Sequence, residues 1–151
     1  MSSLPVFRYH PDPESTGYVE QSAKECRCCG RARGAVYVGP VYGADGLEEH
    51  LCPWCVADGA AARYFGAEFV DTGAGVPPGI PAEVLDELAT RTLGFAAWQP
   101  ERWLYHCGDA AAFLGLASDD PAELRSLASV SATYRFRCLH CRTELSYTDS
   151  P

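Results

Sequence analysis

Four cysteines in two Cys-x-x-Cys pairs, Cys26 with Cys29 and Cys52 with Cys55, have the spacing in this chain most suited to chemistry. Twenty-two residues separate the pairs. Two residues between cysteines allow a tight turn to aim both sulfurs at one ion. Zinc takes four ligands in a tetrahedron, so two such pairs fill its coordination and leave no position for water, the mark of a structural site. Cys52-Pro53-Trp54-Cys55 alone has the form of a thioredoxin-like redox pair. That motif follows a strand in a βαβ unit, however, and here a partner pair lies upstream at zinc spacing. Cys28, beside Cys29, could replace it as a ligand and leave Cys29 as a small buried thiol.

A second constellation centres on Cys138-Leu139-His140-Cys141. Two more ligands are needed, and His106 and Cys107 are the nearest candidates, with His140 and Cys28 behind them. On a helix adjacent residues point about 100° apart, so His106 and Cys107 could both bind only near a frayed end, which Gly108 would supply. An open zinc on Cys107, Cys138 and Cys141 would instead activate water, with Asp109 or His106 as base. A third reading makes Cys107 a core thiol facing Trp103, four residues earlier on one helical face. His10 and His50 read as surface or capping residues.

The elements that must position these groups are legible from local pattern. The segment up to Ser22 reads as extended and docked by Phe7, Tyr9 and Tyr18. Val36 to Tyr42 is rich in β-branched and aromatic residues and reads as a strand with Pro40 at an edge or bend. Gly43 to Gly46 is a turn signal, and Leu47 to Leu51 can return as a second strand. Pro53 suits the first position of a helix to about Phe65 stopped by Gly66, with Asp58 as an alternative N-cap. Thr72 to Pro81 is a loop. A helix follows to about Thr92 with Val84, Leu85 and Leu88 on one face. Short helices are expected at Glu101–His106, from Asp109 towards Gly115, and from Asp120 to about Ala128. Thr133 to Arg137 and Glu144 to Thr148 read as strands joined across the last knuckle. Pair, hairpin and pair at a helix start together resemble a treble-clef zinc fold, whose helix N-terminus favours a negatively charged zinc–thiolate cluster.

The fold class expected is α+β, in one domain over residues 1–151. A treble-clef-like zinc ribbon spans about 23–66. A helical middle and a C-terminal β-hairpin knuckle occupy about 80–151. An apolar share of 47% fits a globular chain. Net charge −8 disfavours nucleic acid and anionic membrane and suits a basic partner or solubility. With no signal-like or membrane-spanning run, the chain is expected in the cytoplasm, where close cysteine pairs read as metal ligands. Arg27, Arg31 and Arg33 surround the first knuckle, and Arg135, Arg137 and Arg142 the last. They read as counter-charges to zinc–thiolate clusters or as a grip on phosphate or carboxylate. Trp54, Trp98 and Trp103 read as core.

The stretches FRYHPDPESTG, CRCCG, YVGPVY, LCPWCVADGAAARYF, VLDELATRT, WLYHCGDAAAFLG and FRCLHC in combination resemble the CbrC family of bacterial proteins. The resemblance spans Phe7 to Cys141. It implies a protective or stress role connected with colicin tolerance and no catalytic residues. The expected function is a non-enzymatic cytosolic zinc protein, with one or two zinc ions, that binds a protein partner such as a basic toxin. The alternatives are a zinc hydrolase or thiol enzyme using Cys107, Cys138 and Cys141, and a nucleic-acid-binding zinc ribbon.

Overall fold

The computed structural model describes residues 3–73, 75–97, 102–117 and 132–149. The elements in chain order are β1 (Val19–Gln21), β2 (Ala35–Tyr37), α1 (Pro53–Ala57), α2 (Ala60–Phe65), α3 (Ala82–Thr90), β3 (Tyr105–His106), β4 (Asp109–Ala110), β5 (Ala112–Leu116), β6 (Ala132–Arg137) and β7 (Glu144–Asp149). This is a small mixed helix-and-strand fold with, among the described residues, two clusters of side chains able to hold a metal ion. The helix expected from Asp120 and the placement of Trp98 lie outside the described residues.

The strand expected over Val36–Tyr42 is shorter, because the chain turns at Gly39 and Pro40 over the ring of Tyr37. A Cβ at Gly39 would meet that ring at 2.5 Å, and the Tyr37 hydroxyl donates to the Pro40 carbonyl at 2.7 Å. The main partner of β2 is β1, in register Val19↔Tyr37, so the N-terminal segment contributes a strand as well as docking. The return strand over Leu47–Leu51 does not form. Residues 48 and 49 make a turn with Glu49 left-handed (φ 64°), and only Leu51 bridges Tyr37. The single helix expected from Pro53 to Phe65 is two. Pro53 begins α1, Gly59 (φ 82°) breaks the path, and Asp58 accepts from the Ala60 N–H at 2.8 Å at the start of α2. Gly66 ends α2 in the left-handed conformation.

The expected helical middle contains only α3 among the described residues. Leu88 is buried on it, and Val84 and Leu85 are half-buried. The short helices expected at Glu101–His106 and Asp109–Gly115 do not form among their described residues; Tyr105–His106, Asp109–Ala110 and the run from Ala112 are strands instead. β3 and β4 form a hairpin in register His106↔Asp109, and β5 pairs with β6, which pairs with β7. The two residues at the hairpin tip, Cys107 (φ 54°) and Gly108 (φ 72°), are both left-handed. Positive φ at both central residues is the two-residue turn whose twist matches antiparallel strands. The polarity of Tyr105-His106 and Asp109-Ala110 lacks the period that would have flagged strands two residues long.

Two cores sit behind these elements. One collects Val19, Tyr37, Leu51, Val56, Phe69 and Leu93 around the buried Cys26, Cys52 and Cys55. The other is aromatic, with Phe95 stacked on Phe113 (centroids 4.3 Å apart) and Phe136 and Trp103 edge-on to each other at 5.4 Å. Tyr18 packs against both. His10, expected at the surface, is fully buried. Its Nδ1 lies 2.8 Å from the Leu93 carbonyl and its Nε2 2.6 Å from the Thr16 hydroxyl.

Candidate metal centres

The sequence around Cys26 closes on itself in one turn. The Cys26 N–H donates to the Arg31 carbonyl (2.8 Å), and the Gly30 N–H returns to the Cys26 carbonyl (2.7 Å). The Cys28 N–H points at Cys26 Sγ (3.3 Å). The second pair rides on α1, with Cys52 in extended conformation as its N-cap and Cys55 in its first turn. The Tyr37 N–H to Leu51 carbonyl bond (2.8 Å) fastens the strand to the residue before Cys52. These constraints bring the sulfurs of Cys26, Cys29, Cys52 and Cys55 within 4.8 Å of one another. A zinc–thiolate tetrahedron with Zn–S near ~2.3 Å has edges of ~3.8 Å, so the four donors need only small adjustments to hold such an ion.

The thiols around this point titrate as a group. Burial pushes Cys26 up, but backbone N–H groups of Cys52, Cys29 and Cys28 outweigh it and hold the thiol at about 7. Burial raises Cys52 to about 11, and raises Cys55 further, where the Cys52 thiol also favours the protonated form. The Cys26 thiolate is favoured while Cys52 and Cys55 keep their protons. A divalent cation held here would remove that conflict by stabilising all four thiolates, and its binding would release protons. Cys28 stands beside the group rather than in it; it is half-buried, and desolvation raises its pKa.

The second group is built by two turns. Between β6 and β7 the Cys138 N–H donates to the Thr143 carbonyl (2.9 Å), and left-handed Arg142 (φ 64°) reverses the chain. The β3–β4 hairpin presents His106 from its strand and Cys107 from its tip. Donor atoms of His106, Cys107, Cys138 and Cys141 again lie within 4.8 Å of one another. His106 Nδ1 is 3.3 Å from Cys107 Sγ and 3.4 Å from Cys141 Sγ. The hairpin corner, and not a frayed helix, aims adjacent residues at one point. Cys107 is exposed and Trp103 buried, its indole N–H donating to the Ala111 carbonyl (2.9 Å), so the shared helical face expected for the two does not exist. The backbone N–H of Cys141 holds the Cys138 thiol down at about 7 against desolvation, with help from that of His140. The hydroxyl and N–H of Thr143 lower Cys141. Hydrogen bonding to the thiols of Cys138 and Cys141 raises Cys107 to about 11.

His140, considered as a ligand, is turned elsewhere: its Nε2 lies 2.9 Å from Asp109 Oδ2. Asp109 is 5% exposed and has the Tyr9 hydroxyl (2.8 Å), the Ala110 N–H (2.8 Å) and the Arg8 guanidinium (3.5 Å) around it. Burial would raise this carboxyl, but His140, Tyr9, the Ala110 N–H and Arg8 together lower it below the usual range. Asp109 thus ties the N-terminal segment, the β3–β4 hairpin and the last knuckle together, where sequence reading had weighed it as a base. Arg8 and Tyr9 had drawn no attention as partners of this corner, since nothing local marks a contact a hundred residues away. Of the arginines, Arg27 donates to the Gly46 carbonyl (3.1 Å), the Arg33 guanidinium lies over the Trp54 ring, and Arg137 pairs with Glu144 (3.5 Å).

A family model matches residues 4–128, reaching from the N-terminal segment past the β3–β4 hairpin. The chain belongs to UPF0167, an uncharacterised protein family. UPF0167 proteins of Mycobacterium bovis and of Mycobacterium tuberculosis are each 40% identical to it over 174 aligned positions, covering 97% of this chain and 93% of theirs. A UPF0167 protein of Pseudomonas aeruginosa is 40% identical over 167 positions, covering 91% and 92%. No solved structure matches the chain. Among the described residues of this UPF0167 chain, no helix is long and apolar enough to cross a membrane.

Proposed function

We propose that this UPF0167 protein is a non-enzymatic, two-zinc protein whose braced surface binds a protein partner. The observation that carries the reading is that each cluster offers four protein donors within 4.8 Å. Four donors complete a tetrahedral zinc and leave no place for the water a hydrolase needs. The first centre, a knuckle followed by a strand bridge and a pair at the start of α1, supports a treble-clef-like description of the N-terminal half. The second brings His106 into a set that the enzyme alternative on Cys107, Cys138 and Cys141 would require to stay open.

All eight cysteines are free thiols, in keeping with a reducing compartment such as the cytoplasm. Net charge −8 speeds encounter with a basic protein, and the resemblance to the CbrC family suggests a colicin-type nuclease toxin as that partner. X-ray absorption at the zinc edge tests the closed-site reading. Sulfur shells with one histidine nitrogen across two ions are expected. A light-atom ligand from water would support the hydrolase instead. A pull-down with a catalytically inactive nuclease toxin tests the partner, and failure at low salt would remove that candidate.

A further inference from the structure

A cavity of about 200 Å³ opens between the start of the chain, the β1–β2 ribbon and α1. Leu4, Val19 and Trp54 give it apolar walls, Gln21 adds an amide, and Glu14 and Arg33 bring opposite charges to the same space. The Arg33 guanidinium lies over the Trp54 ring, 4.4 Å from its centroid. The ring is itself fixed, because its Nε1–H donates to the Ser3 carbonyl at 3.1 Å. Among the described residues no hydrogen bond occupies the guanidinium donors of Arg33, which leaves them free for a planar, bidentate acceptor such as a carboxylate. Among the described residues neither Arg33 nor Glu14 has an ion-pair partner, and they do not pair with each other. The larger cleft of about 370 Å³ lined by Arg63 and Arg91 lacks this property. There Arg63 donates to the Asp58 carbonyl and Arg91 pairs with Asp86.

We propose that the Glu14–Arg33–Trp54 pocket binds a free α-amino acid with a small aliphatic side chain, as its zwitterion. The carboxylate docks on the edge of Arg33, the ammonium faces Glu14, and the side chain lies against Leu4 and Val19. The volume sets the size class, since pockets for drug-sized molecules begin at about 300 Å³. The charge pattern sets the chemistry: a simple anion would satisfy Arg33 and meet Glu14 as a like charge, whereas a zwitterion satisfies both. Trp54 stands between Cys52 and Cys55, so a ligand on this face adjoins the first metal centre without using its donors.

The test is calorimetric titration of the full chain, with its metal content as purified, using L-valine, N-acetyl-L-valine and L-valinamide. Saturable binding of L-valine is expected, with affinity at least about tenfold weaker for each blocked derivative, since each loses one charged hydrogen-bonding group. Glu14→Gln, at an exposed position, and Arg33→Lys are expected to weaken L-valine binding by a similar factor while leaving the melting temperature in place. L-valine failing to bind, the blocked derivatives binding as tightly, or both variants binding as well as the parent would each overturn the proposal.

Discussion

Cys28 and Cys29 are neighbours in sequence, and only one belongs to the first donor set. Spacing favoured Cys29 and left Cys28 open as a substitute; the turn from Cys26 to Arg31 places Cys29 in the group and Cys28 beside it. Cys52→Ser is therefore expected to remove one metal ion per chain and prevent stable folding. Cys28→Ser should keep the full metal content at a cost below ~1 kcal/mol, both read by metal analysis and thermal melting. The opposite pattern would exchange their roles. His10 carries a different prediction. Its burial lowers its pKa to about 4, with the Leu93 carbonyl and Asp12 opposing, against 6.5 for an ordinary histidine. Between those values the unfolded chain takes up a proton that the folded chain refuses, so stability falls as pH drops from about 6.5 towards 4. From pH 7 to 5 the loss amounts to about 2 kcal/mol. Urea midpoints at the two pH values, compared between the parent and His10→Asn, isolate this component from metal release. An equal pH dependence in both proteins would refute it. Nothing in the sequence marked His10 as buried, because Leu93 and Thr16 reach it only through the fold.

Elements were legible where one residue decides the backbone and illegible where a distant partner does. Pro53 as a helix start, Gly66 as a stop and the loop from Thr72 follow from local chemistry and appear in the structure. The β6–β7 strands were readable from Tyr134 and Phe136 alternating with Thr133, Arg135 and Arg137. By contrast, β1 is a strand because β2 needs a partner, and no local propensity announced that. The segment YHCGDA was read as the end of one short helix and the cap of the next; its usable signal was Cys107-Gly108, a pair able to take positive φ at both tip positions. Replacing Gly108 with valine should open this corner, weaken the second metal site and leave the first, measured as loss of one ion per chain. A steric prediction belongs to the loop after α3. A Cβ at Gly94 would overlap the Phe69 carbonyl oxygen, and the Gly94 N–H donates to the Tyr37 hydroxyl (3.1 Å). Gly94→Ala should thus cost about 1–3 kcal/mol in urea unfolding without altering metal content; an unchanged midpoint would mean the loop shifts freely.

At the scale of the whole molecule, each donor cluster is attached to its own core. Cys26, Cys52 and Cys55 are part of the first, and Cys138 is buried next to Leu139, which packs against the aromatic one. Short strands and, among the described residues, helices of nine residues or fewer gain little from regular structure alone, so cross-links through a metal would supply much of the cohesion. Chelation at neutral pH is therefore expected to lower the melting temperature sharply, and an unaltered curve would show that the cores suffice. The cysteine spacing made the first cluster readable from sequence; the four donors of the second were named as candidates too, but the hairpin corner that aims His106 and Cys107 at one point was not foreseen. The most direct measurement of the central claim is native mass spectrometry of the purified chain with and without Cys52→Ser and Cys138→Ser. Two zinc ions in the parent and at most one in each variant are expected. A parent carrying no metal, or cysteines joined in disulfides at the mass of the metal-free chain, would contradict it.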